Sequence, residues 1–348
     1  MTDLLSLSFS ELEALMPELG EKRFVASQLF GWLHRQRVCD FEAMTNLSRP
    51  LREKLKNNYV ISGCTIAKKL VSVYDDTVKY LFSLQDGEQI ESVVMKYKYG
   101  YTICVSSQVG CKMGCTFCAS GIAGFVRNLL PGEILSQVYT ASRDLGIRIS
   151  HVVMMGVGEP MDNLDNVLRF LSLITDEKGY NLSMRSISLS TCGVVPGIYR
   201  LMEENLQLTL SISLHAPNDE IRSRTMPVNR RWPMHELLQA CRAYTGHTGR
   251  RISFEYALIA GVNDSDRDAK ELASRLRGML CHVNLIPVNS VKERDYVRSS
   301  PARVQSFQHT LELCHINATV RRTLGSDINA SCGQLRRGEG PGTDNSQS

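Results

Sequence analysis

Beyond residue 105, continuous apolar segments alternate with segments that have the hydrophobic periodicity of helices. We predict strands at residues 150–157, 186–191, 208–214, 252–259, 282–288 and 317–321. Helices are predicted at residues 131–145, 164–175, 196–204, 233–244, 265–278 and 301–314. Apolar strands separated by helices are typical of a parallel sheet covered on its faces. With another strand before residue 111 there are about seven parallel strands, which favours a full or partial barrel over a doubly wound sheet.

The first hundred residues have a different pattern. Residues 1–60 have helical spacing, and we expect Ser10 to cap the first helix within a capping-box-like run at 8–11. Strand-like segments follow at 65–73, 78–84, 89–98 and 101–105, with turn residues between the first three, and predict a small antiparallel sheet. We therefore predict four regions: a helical accessory domain (1–60), a small β extension (61–100), a barrel core (101–337) and a disordered tail (338–348).

Composition narrows the class of protein further. A chain of 348 residues with 43% hydrophobic and 22% charged residues is typical of a soluble globular protein. It has no apolar run of the roughly 18 residues that span a bilayer, and no signal peptide is evident at its start. Its 11 cysteines, an odd number, favour free thiols in a reducing cytoplasm over a disulfide framework.

The net charge of +4 permits a nucleic-acid partner without requiring one. Between residues 22 and 59 there are eight basic and three acidic residues. Either these basic side chains form a solvated helical face, or they contact RNA phosphates.

Three cysteines, Cys111, Cys115 and Cys118, occur in one short run between a strand-like approach and a helix-like exit. Three thiolates can hold a metal or cluster but leave it one protein ligand short. A closed zinc site would need a fourth Cys or His near by, and none follows at a suitable distance. An incomplete zinc site and a set of buried cysteines are the alternatives, but the open ligand position favours a catalytic site.

Polar groups also follow the predicted strands, where barrel enzymes carry their chemistry. They occur at residues 156–160, 190–193, 213–215, 287–289 and 325–333. Cys332 lies in a loop rich in Gly, Ser and Asn, which makes it a candidate nucleophile or covalent carrier. Cys104, on the strand entering the cysteine run, is either a second thiol facing the same site or a buried strand residue.

The run C-x-x-x-C-x-aromatic-C is typical of radical S-adenosylmethionine (SAM) enzymes. The stretches at 91–97, 104–111, 158–160, 213–217, 284–289 and 332–335 closely resemble the RlmN/Cfr family, from the N-terminal helices to about Arg337. These enzymes methylate adenosine in 23S ribosomal RNA and transfer RNA. With Pro160 at the end of the 158–160 motif, the chain resembles the branch of this family that methylates carbon-2 of adenosine rather than the branch that methylates carbon-8.

The resemblance implies a partial TIM-type (β/α) barrel that holds a [4Fe-4S] cluster and uses two SAM molecules per turnover. Cys111, Cys115 and Cys118 would bind the cluster. The SAM pocket would be formed by Gly158, Glu159, Ser190, Ser213, Leu214, His215 and Asn289. The expected substrates are 23S rRNA and tRNA. A flavodoxin- or ferredoxin-like protein would supply single electrons, and we expect a cytoplasmic monomer.

The resemblance also implies catalytic roles for Cys332, Cys104 and Glu91. Cys332 would be methylated by one SAM and would then pass its carbon, as a radical, to carbon-2 in a covalent adduct with the RNA. Cys104 would resolve the adduct through a transient disulfide bond, with Glu91 as proton acceptor. Arg222, Arg224, Arg230, Arg231, Arg336, Arg337 and the N-terminal basic helices are candidate RNA contacts. A radical SAM enzyme with a small-molecule substrate and a non-catalytic zinc-containing RNA-binding module are the competing hypotheses.

Overall fold

Three short helices and two short strands form the N-terminal region of the structure, a computed structural model that describes residues 1–337. In chain order they are β1 (Thr2–Asp3), α1 (Phe9–Glu18), α2 (Val25–Phe30), α3 (Arg49–Asn58) and β2 (Tyr59–Val60). The predicted tail at 338–348 lies outside the described residues. The expected cap of α1 is wrong by two positions. Ser8 caps the helix, and its N–H and the N–H of Glu11 are satisfied by each other's side chains.

The four strands that follow are β3 (Thr65–Val71), β4 (Val78–Ser83), β5 (Gln89–Tyr97) and β6 (Gly100–Cys104). They pair antiparallel in sequence order, as the turn residues between them predict. They do not form a sheet of their own. Because β6 also pairs in parallel with β9 (Ile149–Met154), the antiparallel strands extend the barrel sheet to ten strands.

The cysteine run lies between two short paired strands, β7 (Gln108–Gly110) and β8 (Phe125–Asn128). The predicted helix-like exit from the run is therefore wrong. Gly110 has a φ of +75°, and a Cβ there would collide with the carbonyl group of Gly124, so a glycine allows the two strands to approach closely. The first helix after the run begins only at Pro131.

Helices and parallel strands then alternate to the end of the barrel. In chain order they are α4 (Pro131–Leu145), β9, α5 (Leu164–Thr175), β10 (Ile187–Thr191), α6 (Val195–Glu203), β11 (Thr209–Ser213), α7 (Asp219–Thr225), α8 (Met234–Thr248), β12 (Ile252–Leu258), α9 (Asp266–Leu276), β13 (Cys281–Pro287), α10 (Pro301–Leu313) and β14 (Ala318–Val320). The bounds predicted for α4 and α5 are confirmed, whereas α7 was not predicted.

The strand order is β14-β13-β12-β11-β10-β9-β6-β5-β4-β3, so seven parallel strands continue into three antiparallel ones. Across residues 1–337, β14 and β3 are the edges of this sheet, and the barrel is therefore partial, as expected. The apolar faces of the sheet and helices form one large buried core, which also includes the N-terminal helices. Within the same residues, no helix combines the length and hydrophobicity needed to cross a bilayer.

Candidate active site

A cavity lies at the carboxyl ends of the parallel strands, with a volume of about 950 Å³ including its open side. Each of β9 to β13 contributes a lining residue within one position of its last residue, and Arg321, directly after β14, completes the set. Because the carboxyl ends of parallel strands meet at one edge, residues distant in sequence converge here. The predicted site residues that line it are Cys111, Cys115, Cys118, Gly158, Glu159, Ser190, Ser213, His215, Asn289 and Cys332.

The cysteine loop is fixed to two other parts of the barrel. The Thr116 N–H donates to the carbonyl of Thr225 over 2.9 Å, and the Ala119 N–H donates to the carbonyl of Gly333 over 2.7 Å. The Ser120 hydroxyl also donates to the carbonyl of Leu335 over 2.7 Å. The loop with the three cysteines and the loop with Cys332 therefore form one hydrogen-bonded unit.

The three thiols suit a cluster of several irons. All three are partly exposed to the same cavity, and burial raises the pKa of Cys111 to about 12, so a thiolate there requires a compensating cation such as iron. Within residues 1–337, no three His, Cys, Asp or Glu side chains are placed so that they could bind one metal ion together. Thiols that each bind a different iron are spread more widely than ligands of one ion. Three of them leave one iron of a [4Fe-4S] cluster open for SAM.

The Glu159 side chain connects the loop after β9 to the loop after β10. One carboxylate oxygen accepts a hydrogen bond from the Cys192 N–H over 2.7 Å, and the other accepts one from the Met161 N–H over 3.0 Å. Burial raises the pKa of this carboxyl group. The preceding Gly158 has a φ of +108°, and a Cβ there would lie 2.6 Å from the Cβ of Gln108. A side chain at 158 would therefore displace Gln108, which accepts the Glu159 N–H through its side-chain oxygen.

His215 is a neutral hydrogen-bond donor toward the cavity. Its Nδ1 accepts the Ala257 N–H over 2.8 Å, so the ring proton is on Nε2. Burial lowers the pKa of His215 to about 3, which keeps the ring uncharged. The Ser190 and Ser213 hydroxyls lie 3.4 Å apart on the same wall. Leu214 is not among the cavity-lining residues; its side chain is fully buried in the core.

Cys332 lies where two cavities meet. It lines the large cavity together with the three cysteines. It also lines a second cavity, of about 520 Å³ including its open side, which Cys104 lines as well. Both are free thiols in the structure. Burial raises the pKa of Cys104 to about 12, and it also raises the pKa of Cys332, where the positive charge of Arg321 acts in the opposite direction.

Arg321 is a site residue that sequence reasoning missed, although it ends the last predicted strand. Its guanidinium lines both cavities next to Cys332, and the negative charges of the Cys332 thiolate and Glu255 raise the pKa of Arg321. Glu255 was also missed. It is 4% exposed and accepts hydrogen bonds from Ser253 and Asn284 over 2.9 and 2.7 Å. A charged residue inside the apolar segment 252–259 was the available signal.

Glu91 does not line either cavity. Its carboxylate forms an ion pair with Lys79 over 2.9 Å and accepts the Arg336 N–H over 2.8 Å. The Lys79 ammonium also donates to the carbonyl of Asn329 over 3.0 Å. The Glu91–Lys79 pair is therefore bonded to the chain on both sides of Cys332, at Asn329 before it and at Arg336 after it.

One proposed RNA contact is wrong. Arg222 is fully buried and donates to the carbonyl oxygens of Cys192 and Leu214 and to the Asn229 side chain over 2.6, 3.2 and 2.9 Å. It connects the ends of the third and fourth parallel strands and cannot contact RNA. Two further candidates are already in ion pairs: Arg336 with Glu293, and Arg337 with Glu88. Arg224, Arg230 and Arg231 are exposed.

A partial barrel with three thiols of one short loop at the carboxyl ends of its strands defines the radical SAM class. A sequence model of the radical SAM superfamily matches residues 105–273, and one for the ribosomal RNA large subunit methyltransferase N-terminal domain matches residues 2–61. A radical SAM methyltransferase from Sphaerobacter thermophilus has a similar structure, with a TM-score of 0.93, 45% identity, and coverage of 96% of this chain and 99% of that one.

Two curated relatives, both named probable dual-specificity RNA methyltransferase RlmN, extend the similarity along the whole chain. The protein from Clostridium tetani is 54% identical over 97% of this chain and 96% of its own. The protein from Desulforamulus reducens is 52% identical over 96% of each. The chain belongs to the RlmN family of radical SAM RNA methyltransferases. It is therefore an enzyme that uses a [4Fe-4S] cluster and SAM, and not a non-catalytic zinc module.

Proposed function

We propose that this enzyme methylates carbon-2 of adenosine in 23S rRNA and of the adenosine 3′ of the anticodon in tRNA, with Cys332 as the carrier of the methyl group. The observation that carries the proposal is the position of Cys332 between two cavities. One cavity contains the three cysteines, and the other contains Cys104. A single thiol can therefore accept carbon on one side and be attacked by another thiol on the other.

The chemistry of the substrate explains why a carrier is useful. Carbon-2 of adenine is electron-poor and has no lone pair with which to attack a methyl donor. When bound, SAM supplies a methyl group for displacement. One-electron cleavage of SAM at the cluster would also supply a radical that removes a hydrogen atom from a methyl group. The protein positions the reacting groups and keeps them away from water.

Cys332 would act first as a nucleophile. Its sulfur forms a bond to the methyl carbon while the bond from that carbon to the donor sulfur breaks, which leaves an S-methylcysteine. After loss of a hydrogen atom, the same carbon, now a radical, bonds to carbon-2 of adenine and links the protein covalently to RNA; the adduct would then give up one electron, which the oxidised cluster could take back, and the carbon-2 proton, so that the aromatic ring is restored. An external one-electron reductant of the flavodoxin or ferredoxin type would supply electrons.

Cys104 would release the product. Its thiolate attacks the sulfur of Cys332, the bond between that sulfur and the transferred carbon breaks, and a disulfide forms. The electron pair from the broken bond stays with the RNA, which takes up a proton to complete the methyl group. Burial keeps the pKa of Cys104 high, so the group is a thiol at neutral pH and must lose its proton before it can attack.

The proton on carbon-2 must also leave, and we assign its acceptance to Glu91. In the structure, however, the Glu91 carboxylate contacts Lys79 and the Arg336 N–H rather than either cavity. The assignment therefore requires Glu91 to exchange a partner when RNA binds. The variant E91Q should still carry methyl on Cys332 but should accumulate covalent adduct. If E91Q instead releases methylated RNA at the wild-type rate, Glu91 takes no part in proton transfer.

The product identifies the function most directly. Cells that lack this protein should lose 2-methyladenosine from digested 23S rRNA and tRNA, as measured by mass spectrometry, and the wild-type protein should restore it. C332A should not restore it, whereas C39A, which removes an exposed thiol outside both cavities, should. Restoration by C332A, or a mark at another adenine atom, would contradict the proposal.

A further inference from the structure

Four arginines surround one surface pocket that is separate from the active site. Arg35 and Arg37 come from the segment between α2 and α3, and Arg143 and Arg148 come from the end of α4 and the approach to β9. Tyr180 forms part of the wall. We call this the arginine pocket; it encloses about 810 Å³, including its open side.

The charges in the arginine pocket have no carboxylate partners within the described part of the chain. None of the four arginines takes part in a salt bridge there, and no acidic residue lines the pocket. The nearest acid in sequence, Asp144, pairs with Lys69 over 2.6 Å. The C-terminal end of α4 carries a partial negative charge of about half a unit, which four full positive charges exceed. The pocket is therefore strongly positive.

Neutral groups hold the guanidiniums in place. Arg35 donates to the carbonyl of Lys178 over 3.3 Å, and Arg148 donates to the carbonyls of Tyr180 and Asn181 over 2.7 and 3.1 Å. Arg143 donates to the carbonyl of Arg37. Carbonyl partners orient a guanidinium without neutralising it, so its remaining N–H groups stay available to an anion.

The Tyr180 ring organises the pocket further. The guanidinium carbons of Arg148 and Arg37 lie 4.6 and 5.8 Å from the ring centre. The Nε of Arg37 is buried and has no hydrogen-bond partner within residues 1–337. An unsatisfied buried donor is costly, and an anion in the pocket would offset the positive charge that surrounds it. Planar guanidiniums match the oxygens of a phosphate group in pairs.

The location of the pocket points to a large ligand. Arg148 precedes the first residue of β9, whereas Met155 and Gly156, just after its last residue, line the active-site cavity. At about 3.3 Å per residue, the two sites are roughly 25 Å apart along the strand. A single ligand that occupied both sites would have to be a macromolecule, and four unpaired arginines suit one with phosphates along its length.

We propose that the arginine pocket binds phosphodiester groups of the RNA substrate at a distance from the target adenosine. The proposal rests on the RNA methyltransferase activity and adds a contact on the opposite end of the barrel. A full-length substrate would engage both ends, while a short hairpin that carries only the target base would reach the active site alone.

The test is equilibrium binding of the holoenzyme to an unmodified full-length tRNA transcript and to its isolated anticodon stem-loop, at several salt concentrations. The double variant R35Q/R37Q and the single variant R148Q should bind the full-length RNA about tenfold more weakly. The slope of log affinity against log salt should fall by about one for each phosphate that the variant no longer neutralises. Binding of the short hairpin should be unchanged. R148K keeps the charge and should keep most of the slope.

R200Q is the matched control because Arg200 is exposed and pairs with Asp165. It should bind like the wild type, and thermal unfolding should show that all variants are folded. Equal affinities and slopes for wild type and pocket variants would overturn the proposal, as would an equal loss for the short hairpin. Calorimetry with inorganic phosphate is the second arm. If the pocket variants lose phosphate binding while RNA affinity is unchanged, the pocket is a free-phosphate site. A wild-type protein that binds no RNA would instead overturn the proposed function.

Discussion

The side-chain amide of Asn289 donates a hydrogen bond to the backbone carbonyl of Cys332 over 3.1 Å. Asn289 follows the end of β13, and Cys332 lies in the loop after β14. The sequence motif at 284–289 and the carrier loop are thus joined directly. This bond gives Asn289 a positioning role for Cys332, in addition to the contact with SAM that the family resemblance implies.

The first prediction concerns this bond. N289A should slow methylation of Cys332 by about tenfold, because the loss of one hydrogen bond worth about 1–1.5 kcal/mol allows the carrier loop to move. The measurement is transfer of labelled methyl from SAM to protein in the absence of RNA. N58A, in an exposed helix position, should leave the rate unchanged. An unchanged rate in N289A together with weaker SAM binding would limit Asn289 to the cofactor.

The second prediction concerns Arg321. Burial raises the pKa of Cys332 and the charge of Arg321 lowers it, so R321Q should raise that pKa further. Self-methylation should slow in R321Q, and its half-maximal pH should move upward, because less thiolate is present at a given pH. R321K should move the profile less, since it keeps the charge. A profile that stays in place in R321Q would show that the charge does not act on this thiol.

The third prediction concerns the stability of the barrel. R222M should lower the free energy of unfolding by about 3–5 kcal/mol, because four oxygen acceptors, the Ser213 carbonyl among them, lose their partner in a buried site. R222K should recover part of the loss. Denaturant unfolding measures both, with the exposed neighbour R224M as control. A loss in R222M no larger than that in R224M would contradict the assigned role.

The burial of Arg222 could not be predicted from the sequence. An arginine near a second basic residue in a polar segment has the pattern of a solvated surface, and only the tertiary fold reveals the carbonyl groups that surround it. Likewise, Ser8 and Ser10 are equally good caps in sequence, and the geometry of the first turn decides between them. The exit from the cysteine run depends on the pairing of β7 with β8, which local periodicity does not encode.

Other features were accessible because they depend on local patterns. The bounds of α4 and α5 follow from Pro131 at a helix start and from long periodic segments. Alternation of apolar strands and helices predicted the parallel sheet, and strand-end positions predicted most residues of the active-site cavity. Leu214 was an exception, since its motif neighbours face the cavity while its own side chain enters the core.

The fourth prediction concerns pH. Burial lowers the pKa of His34 from 6.5 to about 3, so the unfolded chain takes up a proton near pH 6.5 and the folded chain does not. The free energy of unfolding should therefore fall as the pH drops below 6.5, by up to about 1.4 kcal/mol per pH unit from this residue. H34F removes the titrating ring and should flatten the dependence between pH 6 and about 4. An unchanged slope in H34F would show that His34 is not the source.

The role of Cys332 as carrier is tested most directly by mass spectrometry of the C104A variant after anaerobic turnover with RNA and SAM. The proposal predicts a covalent species in which a single carbon joins the sulfur of Cys332 to adenosine, because the thiol that would release it is absent. The control C241A removes a buried thiol outside both cavities and should release product as the wild type does. Free methylated RNA from C104A in wild-type amounts, with an unmodified Cys332, would contradict the proposal.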